Sequence, residues 1–212
     1  GDINNDGLED VFVGASAGNT SQLFKQTIDG DFIPISNDVF KLDHKTEDVD
    51  AVFFDVDNDG DNDLYAVSGG NEYLKGSNNY KDRLYLNDGK GNFSKSEDNL
   101  EISNISGGIV IPSDFDNDGD IDLFIGSRHT PHQYPLPDNS ILLENIDGKL
   151  IDVTNLKAKD LNNLGLVTDA IWTDYDNDND LDLMIVGEWM PITILKNENN
   201  VFVKQQILND LS

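Results

Sequence analysis

The segment Asp114-Phe-Asp-Asn-Asp-Gly-Asp-Ile-Asp122 is the main indication of the fold class, because the chain contains four versions of it in register. The other three are Asp2-Ile-Asn-Asn-Asp-Gly-Leu-Glu-Asp10, Asp55-Val-Asp-Asn-Asp-Gly-Asp-Asn-Asp63 and Asp174-Tyr-Asp-Asn-Asp-Asn-Asp-Leu-Asp182. They begin at residues 2, 55, 114 and 174, and a spacing of this size indicates a repeat architecture. One acidic run alone would be ordinary solvated surface, but four runs in register indicate a shared function.

Short apolar runs repeat together with the acidic loops. They precede three of the loops, at 49–54, 109–112 and 167–172, and follow all four, at 11–13, 64–67, 123–125 and 183–186. A third run lies at 22–24, 83–86, 141–143 and 192–195, and a fourth at 32–33, 92–94, 150–153 and 201–203. The turns between the third and fourth runs are rich in Asn, Asp and Gly, which is typical of β-hairpins. Each repeat is therefore predicted to be four short antiparallel strands.

The predicted fold is all-β, a β-propeller fragment of four-stranded antiparallel blades, three complete and one partial. The blades span about 1–40, 48–97, 107–155 and 166–206, within one repeat array over 1–212. The first blade lacks its opening strand, and the polar segment 205–212 does not resemble that strand. The sequence shows no helix signal of useful length, and we expect one helical turn at 160–164. A closed ring would need more sequence than this chain contains.

Composition excludes several classes of function. Acidic residues number 41 against 14 basic ones, for a formal charge of -27, which argues against binding to nucleic acid or to an anionic membrane surface. The chain has no cysteine, so it has no disulfide, thiol nucleophile or Cys-based zinc site. No apolar run approaches the roughly 20 residues that a membrane-spanning helix needs.

The acidic loops are predicted to bind Ca²⁺, up to four ions in all. Side chains at loop positions 1, 3 and 5 can converge, Gly or Asn at position 6 supplies a positive φ, and the carbonyl of position 7 and the carboxylate of position 9 complete the shell. A flexible shell of oxygen ligands suits Ca²⁺ better than Mg²⁺. The predicted ligands are Asp2, Asn4, Asp6, Leu8 and Asp10; Asp55, Asp57, Asp59, Asp61 and Asp63; Asp114, Asp116, Asp118, Asp120 and Asp122; and Asp174, Asp176, Asp178, Asp180 and Asp182.

The loops differ from an EF-hand and from one another. An EF-hand needs Glu at position 12, where this chain has Val13, Ala66, Ile125 and Ile185. Asn4 removes one charge from the first loop, and Asn179 replaces Gly at position 6 of the fourth. We expect these two sites to be the weaker ones.

The segments Asp-Phe-Asp-Asn-Asp-Gly-Asp-Ile-Asp-Leu-Phe-Ile-Gly (114–126) and Leu-Tyr-Leu-Asn-Asp-Gly-Lys-Gly-Asn-Phe (84–93) resemble FG-GAP/VCBS-type repeats. Such repeats form the calcium-bearing blades of integrin α-subunit propellers and of many bacterial surface proteins. Segments 113–137 and 187–191 resemble, more narrowly, the cartilage-acidic-protein-like (ASPIC/UnbV) propellers, although that family's C-terminal domain is absent from this sequence. The resemblance implies a secreted, cell-surface or periplasmic propeller, usually of seven blades, that serves adhesion or recognition. It does not supply a ligand.

The loops between the second and third strands of each blade form the predicted working surface, on the face opposite the acidic loops. They are Gly14 to Ser21, Gly69 to Asp82, Ser127 to Asn139 and Gly187 to Pro191. Exposed aromatic residues near an Arg suit recognition of a sugar or a protein. The candidate ligand-binding residues are Tyr73, Arg128, His129, Tyr134 and Trp189. The alternative is that these side chains pack the loops onto the scaffold.

The sequence favours a calcium-binding extracellular propeller module for adhesion or for recognition of a protein or carbohydrate, without catalysis. The alternative is a polysaccharide lyase or hydrolase on the same scaffold, because paired carboxylates abound. Calcium ligation explains those carboxylates better, and no nucleophile elbow, zinc-protease motif or phosphate loop occurs. The expected partners are the remainder of the propeller, or a second copy of the chain, and a ligand of unknown identity.

Overall fold

A computed structural model of the chain describes residues 1–205, which form four β-sheets joined by short loops. The expectation for the polar segment 205–212 falls, from residue 206 onward, outside the described residues. The first sheet contains β1 (Val11–Val13), β2 (Gln22–Gln26) and β3 (Phe32–Ile35), and the second contains β4 (Glu47–Phe54), β5 (Asp63–Gly69), β6 (Arg83–Asn87) and β7 (Phe93–Ser96). The third contains β8 (Leu100–Glu101), β9 (Gly107–Ser113), β10 (Asp122–Ser127), β11 (Ile141–Ile146) and β12 (Lys149–Asp152), and the fourth contains β13 (Leu166–Thr173), β14 (Asp182–Glu188), β15 (Thr193–Asn197) and β16 (Phe202–Lys204).

This arrangement confirms the predicted fold class. Three sheets hold a complete antiparallel series of four strands, and the first sheet holds three because β1 pairs only with β2 among the described strands. In the third blade, for example, Phe124 of β10 lies opposite Ile111 of β9 and Leu142 of β11. We refer to the four sheets as blades 1 to 4 in chain order.

The third blade has a fifth strand that the sequence pattern did not predict. Strand β8 pairs in parallel with β12, with Leu100 opposite Leu150. Leu100 is buried in the core between blades 2 and 3, and the Asn99 side chain donates a hydrogen bond of 2.7 Å to the carbonyl of Gly148. This two-residue strand is too short to show an alternating apolar pattern in the sequence.

Helical structure is limited to single turns within residues 1–205. The α-helical turns are α1 (Val39–Leu42) and α2 (Thr154–Lys157), and 3₁₀ turns lie at Asn78–Tyr80 and Lys159–Leu161. The turn expected at 160–164 corresponds to the second of these 3₁₀ turns. No helix in this part of the chain is long and apolar enough to cross a membrane.

The core consists of three apolar clusters, each between two neighbouring blades. Strand β5 is buried along its whole length, because Leu64 faces the cluster shared with blade 1 and Tyr65 faces the cluster shared with blade 3. Strand β10 repeats the arrangement, with Leu123 on one side and Phe124 on the other. Since successive side chains of a strand point to opposite faces, the middle of a strand between two cores is apolar on both faces, as at 64–67 and 123–125. This burial on both faces explains the continuous apolar runs after the acidic loops.

A buried asparagine at or near the end of β6, β11 and β15 links each of blades 2, 3 and 4 to the preceding blade. The side-chain amide of Asn87 donates to the carbonyl of Ile3 (2.8 Å), and that of Asn145 donates to the carbonyl of Val56 (2.8 Å). Asn197 donates to the carbonyl of Phe115 (3.1 Å). Each acceptor is position 2 of the acidic loop in the preceding blade, so these bonds fix the acidic loops against the next blade.

Candidate metal centres and recognition face

The backbone of each acidic loop is held by its own side chains. In the third loop, Asp114 accepts hydrogen bonds from the backbone N–H groups of Asp118 (3.2 Å) and Gly119 (3.1 Å), and Asp118 accepts one from Asp120 (2.9 Å). The same three bonds occur in the other three loops. Position 6 has a positive φ in all four loops, including 75° at Asn179, which confirms the expectation for that position. Position 4, an Asn in every loop, also has a positive φ, a feature that the sequence analysis missed.

The position-9 carboxylate connects the loop to two strands of its blade. Asp122 begins β10 and is fully buried, and its oxygens accept hydrogen bonds from the backbone N–H groups of Phe115 (3.0 Å) and Asn145 (2.8 Å). Asp10, Asp63 and Asp182 make equivalent pairs of bonds. Burial raises the pKa of Asp122 to about 7 and that of Asp63 to about 6, although these N–H donors oppose the shift.

Three of the four loops bring carboxylates of positions 1, 3 and 9 together. One oxygen from each of Asp114, Asp116 and Asp122 lies within 4.8 Å of the others, and the second and fourth loops form the same grouping. The grouped donor atoms are all carboxylate oxygens, so these residues fit a hard divalent cation such as Ca²⁺. The position-5 carboxylates lie outside the groups of three and accept the N–H of position 7 instead.

The first loop has a different arrangement. The amide of Asn4 donates a hydrogen bond of 2.9 Å to the carboxylate of Asp10, so an amide donor takes the place of the position-3 carboxylate. The predicted ligands of this loop are therefore present, but they do not form a cluster of three carboxylates.

Neighbouring loops are also joined directly. The position-4 amide of Asn5 donates to the position-7 carboxylate of Asp61 (2.7 Å), and Asn58 donates to Asp120 in the same way (2.6 Å). The position-7 side chain thus accepts a bond from the preceding loop, which leaves only its carbonyl for the metal role that the sequence analysis assigned to it. Loops 1, 2 and 3 form one connected row on one face of the blades.

Four of the five candidate ligand-binding residues lie together on the opposite face. Arg128 forms an ion pair with Glu188 of the next blade, and the Tyr134 hydroxyl donates to the other oxygen of Glu188 (3.3 Å). The indole N–H of Trp189 donates to the Tyr134 hydroxyl (2.9 Å). His129 packs edge-on against Tyr134, with ring centroids 6.0 Å apart. We call these five residues of blades 3 and 4, including Glu188, the aromatic–ionic cluster.

Two features of the cluster set it apart from ordinary loop packing. Trp189 is 82% exposed and has a φ of 59°, a backbone conformation that is rare for a bulky residue. Strained backbone of this kind is concentrated at functional sites. Tyr73 does not join the cluster, because its hydroxyl donates to the carbonyl of Lys45 (2.8 Å) and its ring packs against Tyr80. Glu188 was missed from the sequence, since it has no distinguishing motif and gains its role only from contacts across the blade boundary.

A cavity of about 390 Å³ lies beside this cluster. Its walls include Val49 of β4, Ile109 of β9 and Val167 of β13, and β9 contacts both of the other strands. Arg128 and His129 form part of its rim. The cavity and the cluster therefore make one continuous surface, with an apolar wall on one side and charged and aromatic groups on the other.

Comparison with known proteins agrees with this geometry. The family model of the FG-GAP-like repeat matches residues 2–66, 55–125 and 114–185, and the chain therefore belongs to the FG-GAP-like repeat family. Each matched segment runs from one acidic loop through the second strand of the next blade. No curated protein sequence matches the chain significantly.

Among solved structures, the chain is similar to a β-propeller lectin from Agrocybe aegerita, described as recognising non-reducing terminal N-acetylglucosamine. The TM-score is 0.57 at 16% sequence identity, over 95% of this chain and 48% of the lectin chain. At this identity the likeness establishes the fold alone. The chain spans about half the length of that lectin.

Proposed function

We propose that this chain is part of a calcium-stabilised propeller that recognises a ligand, most readily a carbohydrate, through the aromatic–ionic cluster. The observation that carries this proposal is the joint exposure of Trp189 and Tyr134, at 82% and 57%, beside an open cavity. Large aromatic side chains are normally buried, and contiguous exposed ones mark binding surfaces.

The chemistry of the cluster suits a sugar. The C–H face of a pyranose ring packs on a flat aromatic surface such as the Trp189 indole, and its hydroxyl groups need charged or polar partners. Arg128, Glu188 and His129 supply such partners within the same patch. The lectin with a similar fold is described as binding terminal N-acetylglucosamine, which makes that sugar a reasonable first ligand to test. A protein ligand is the alternative for the same surface.

Calcium has a structural role in this proposal. Carboxylates crowded in each loop repel one another, and a divalent cation relieves the repulsion while it fixes the turn. In blades 2 to 4 the acidic loops join β4 to β5, β9 to β10 and β13 to β14, and the cluster lies in loops that follow β10 and β14 at their other ends. The ions would thus hold the scaffold without contacting the ligand. Affinities of about 10⁻⁴ to 10⁻³ M, typical of extracellular modules, would suit a protein outside the cell.

We propose binding without catalysis. Within residues 1–205, the groups that line the cavity include an imidazole and a guanidinium but no carboxyl group. Glu188 is paired with Arg128 at its edge, and these contacts hold the pKa of Glu188 below its usual value, with the Arg128 hydrogen bond as the main cause. A hydrolase of the two-carboxylate type needs one carboxyl group of raised pKa. This favours recognition over a hydrolase of the two-carboxylate type; a polysaccharide lyase that uses the His129 imidazole and the Arg128 guanidinium is the alternative for this surface.

A glycan array in millimolar Ca²⁺, followed by titration of the best ligand, tests the proposal. We expect Trp189→Ala to abolish binding and Glu188→Gln to weaken it. The control is Leu74→Ala, which removes an exposed apolar side chain (77%) from the equivalent loop of blade 2. Equal loss in the control, or an array without any bound glycan, would reject carbohydrate recognition by this surface.

A further inference from the structure

Two lysines enter the acidic loops from equivalent positions of different blades. The ammonium group of Lys25 in β2 lies 2.9 Å from Asp6 and 3.2 Å from the Asn4 side-chain oxygen. The ammonium group of Lys196 in β15 contacts Asp176 and lies 3.1 Å from Asp178. In both blades the contacts are made to positions 3 and 5 of the loop, which are predicted calcium ligands.

Both lysines occupy one structural position, the next-to-last residue of β2 in blade 1 and of β15 in blade 4, which correspond because blade 1 has no described strand before its acidic loop. The following residues, Gln26 and Asn197, donate their backbone N–H groups to the position-9 carboxylates Asp10 and Asp182. This position in the strand places the lysine side chain against the acidic loop of the same blade in both cases. The coincidence in two separate blades argues against a chance surface ion pair.

Blades 2 and 3 have no lysine at the equivalent position. The equivalent residue is Leu86 in blade 2, and no ion pair involves a carboxylate of the second loop among residues 1–205. In blade 3 the equivalent residue is Glu144. It binds Lys157 of α2 (2.5 Å), whose ammonium group lies farther, at 3.4 Å, from Asp116. The third loop therefore has an extra carboxylate nearby that offsets the lysine charge.

We propose that Lys25 and Lys196 are internal counter-ions that compete with Ca²⁺, so that the second and third loops bind the ion tightly and the first and fourth bind it weakly. The inference rests on the proposed calcium binding and adds a lysine counter-charge as a cause for the weaker first and fourth sites, beside the Asn4 and Asn179 substitutions in their loops. A cation that binds positions 3 and 5 must displace the ammonium group or accept its repulsion at a few ångströms. A lysine then neutralises part of the carboxylate charge of the first and fourth loops without metal, whereas the charge of the second loop is neutralised only by a bound ion.

Calcium titration calorimetry at low ionic strength, on the whole chain, tests this rank order. We expect Lys196→Met to tighten the fourth site by roughly tenfold, because a unit charge is removed a few ångströms from a divalent ion. The charge-retaining variant Lys196→Arg should behave like the unaltered protein. Lys204→Met is the matched control, since it removes a lysine from an exposed position of the same blade. Adding Asp174→Ala to Lys196→Met should remove the tightened site and thereby assign it.

Thermal unfolding with and without Ca²⁺ distinguishes a counter-ion that competes with the metal from an ion pair that only stabilises the fold. Lys196→Met should lower Tm in EDTA and increase the gain in Tm on adding Ca²⁺, whereas loss of a structural ion pair would lower Tm equally in both conditions. If the unaltered chain binds Ca²⁺ but Lys196→Met changes neither affinity nor this gain, the counter-ion role is wrong and calcium binding stands. If neither protein binds Ca²⁺, the proposed calcium function is wrong and the counter-ion role is rejected with it.

Discussion

Asp82 carries a buried carboxyl group that belongs to none of the acidic loops. It is 2% exposed and accepts hydrogen bonds from the Ser68 backbone N–H (2.7 Å) and from the Tyr65 hydroxyl (2.8 Å). Burial outweighs these donors and the neighbouring Arg83, and raises the pKa of Asp82 to about 7. The folded protein therefore holds a proton on this group at pH values where the unfolded chain, with a pKa of 3.8, has released it.

This difference predicts a pH-dependent effect of Asp82→Asn. Between pH 4 and 7 the folded state binds more protons at this site than the unfolded state, so its contribution to stability falls as pH rises. The amide keeps an acceptor for Ser68 and a partner for Tyr65 without titrating. We expect the variant to gain stability relative to the unaltered protein from pH 4 to 7, on the order of a few kcal/mol. Urea unfolding of both proteins in constant Ca²⁺ measures it, and a pH-independent difference would contradict it.

Residue patterns within one loop were accessible from the sequence, and contacts across blades were not. Position 1 accepts bonds from N–H groups of its own loop, and one of the two bonds to position 9 comes from position 2, so the nine-residue pattern already contains this part of the geometry. Glu188 meets Arg128 across 60 residues, and no local pattern marks that pairing. The asparagine at the blade junction combines both situations. Its contact crosses blades, but an Asn recurs after the apolar third run at 87, 145 and 197, and that repetition is visible in the sequence.

The acidic loop is the element on which the calcium prediction depends, and Asp118 tests it in the most regular copy. Asp118→Ala removes a predicted ligand together with the acceptor for the Asp120 N–H. We expect the number of bound Ca²⁺ ions to fall by one per chain in calorimetric titration. Asp120→Asn is the control, because only the carbonyl of that residue is a predicted ligand. An unchanged stoichiometry in Asp118→Ala would show that the ligand assignment is wrong.

The junction between blades is the second element with a measurable contribution. Asn145→Ala removes the bond to the carbonyl of Val56, a residue that is fully buried, and leaves that carbonyl without its side-chain donor. An unsatisfied buried group costs about 1–3 kcal/mol, and we expect urea unfolding to show a loss of this size. Asn155→Ala, at an exposed position of α2 in the same blade, should change stability by less than about 0.5 kcal/mol. Equal effects of the two substitutions would remove the evidence for a stabilising junction.

At the scale of the whole molecule, bound ions should stabilise the folded array. Calcium that binds the folded loops better than the unfolded chain adds stability by mass action. We therefore expect EDTA to lower Tm and excess Ca²⁺ to restore it, with Mg²⁺ less effective because it tolerates a flexible oxygen shell less well. Differential scanning calorimetry in EDTA, in Ca²⁺ and in Mg²⁺ measures these differences in Tm. An identical Tm in EDTA and in Ca²⁺ would exclude a structural role for the ion.

The overall architecture was predictable because it is built from a repeated local signal. Each predicted strand lies within or overlaps an observed one, since the acidic loop and the hairpin turn mark its ends. The additional strand β8 and the aromatic–ionic cluster were not predictable in the same way. Both form where one blade contacts another, and the residue pattern within a single repeat does not indicate which residues of the neighbouring repeat it will contact.

The two end blades present apolar faces that have no neighbour within the described residues. Ile171 and Val203 of blade 4 are 58% and 39% exposed, and Val13 and Phe32 of blade 1 are 48% and 46% exposed. The equivalent faces of the inner blades form the clusters of the core. Strand β1 also pairs on one side only, and a free strand edge promotes pairing with another chain. The isolated chain of 212 residues should therefore associate with itself.

Light scattering over a range of protein concentrations tests this expectation. Dimers or larger species should form as concentration rises, because exposed apolar patches bury one another. Ile171→Lys should shift the chain towards monomer, since a charge on the exposed blade 4 face must be desolvated for contact. Ile28→Lys is the control, because Ile28 is 91% exposed in a turn and lies outside both end faces. A monomer at high concentration would contradict the association and would show that exposed blade faces are tolerated in water.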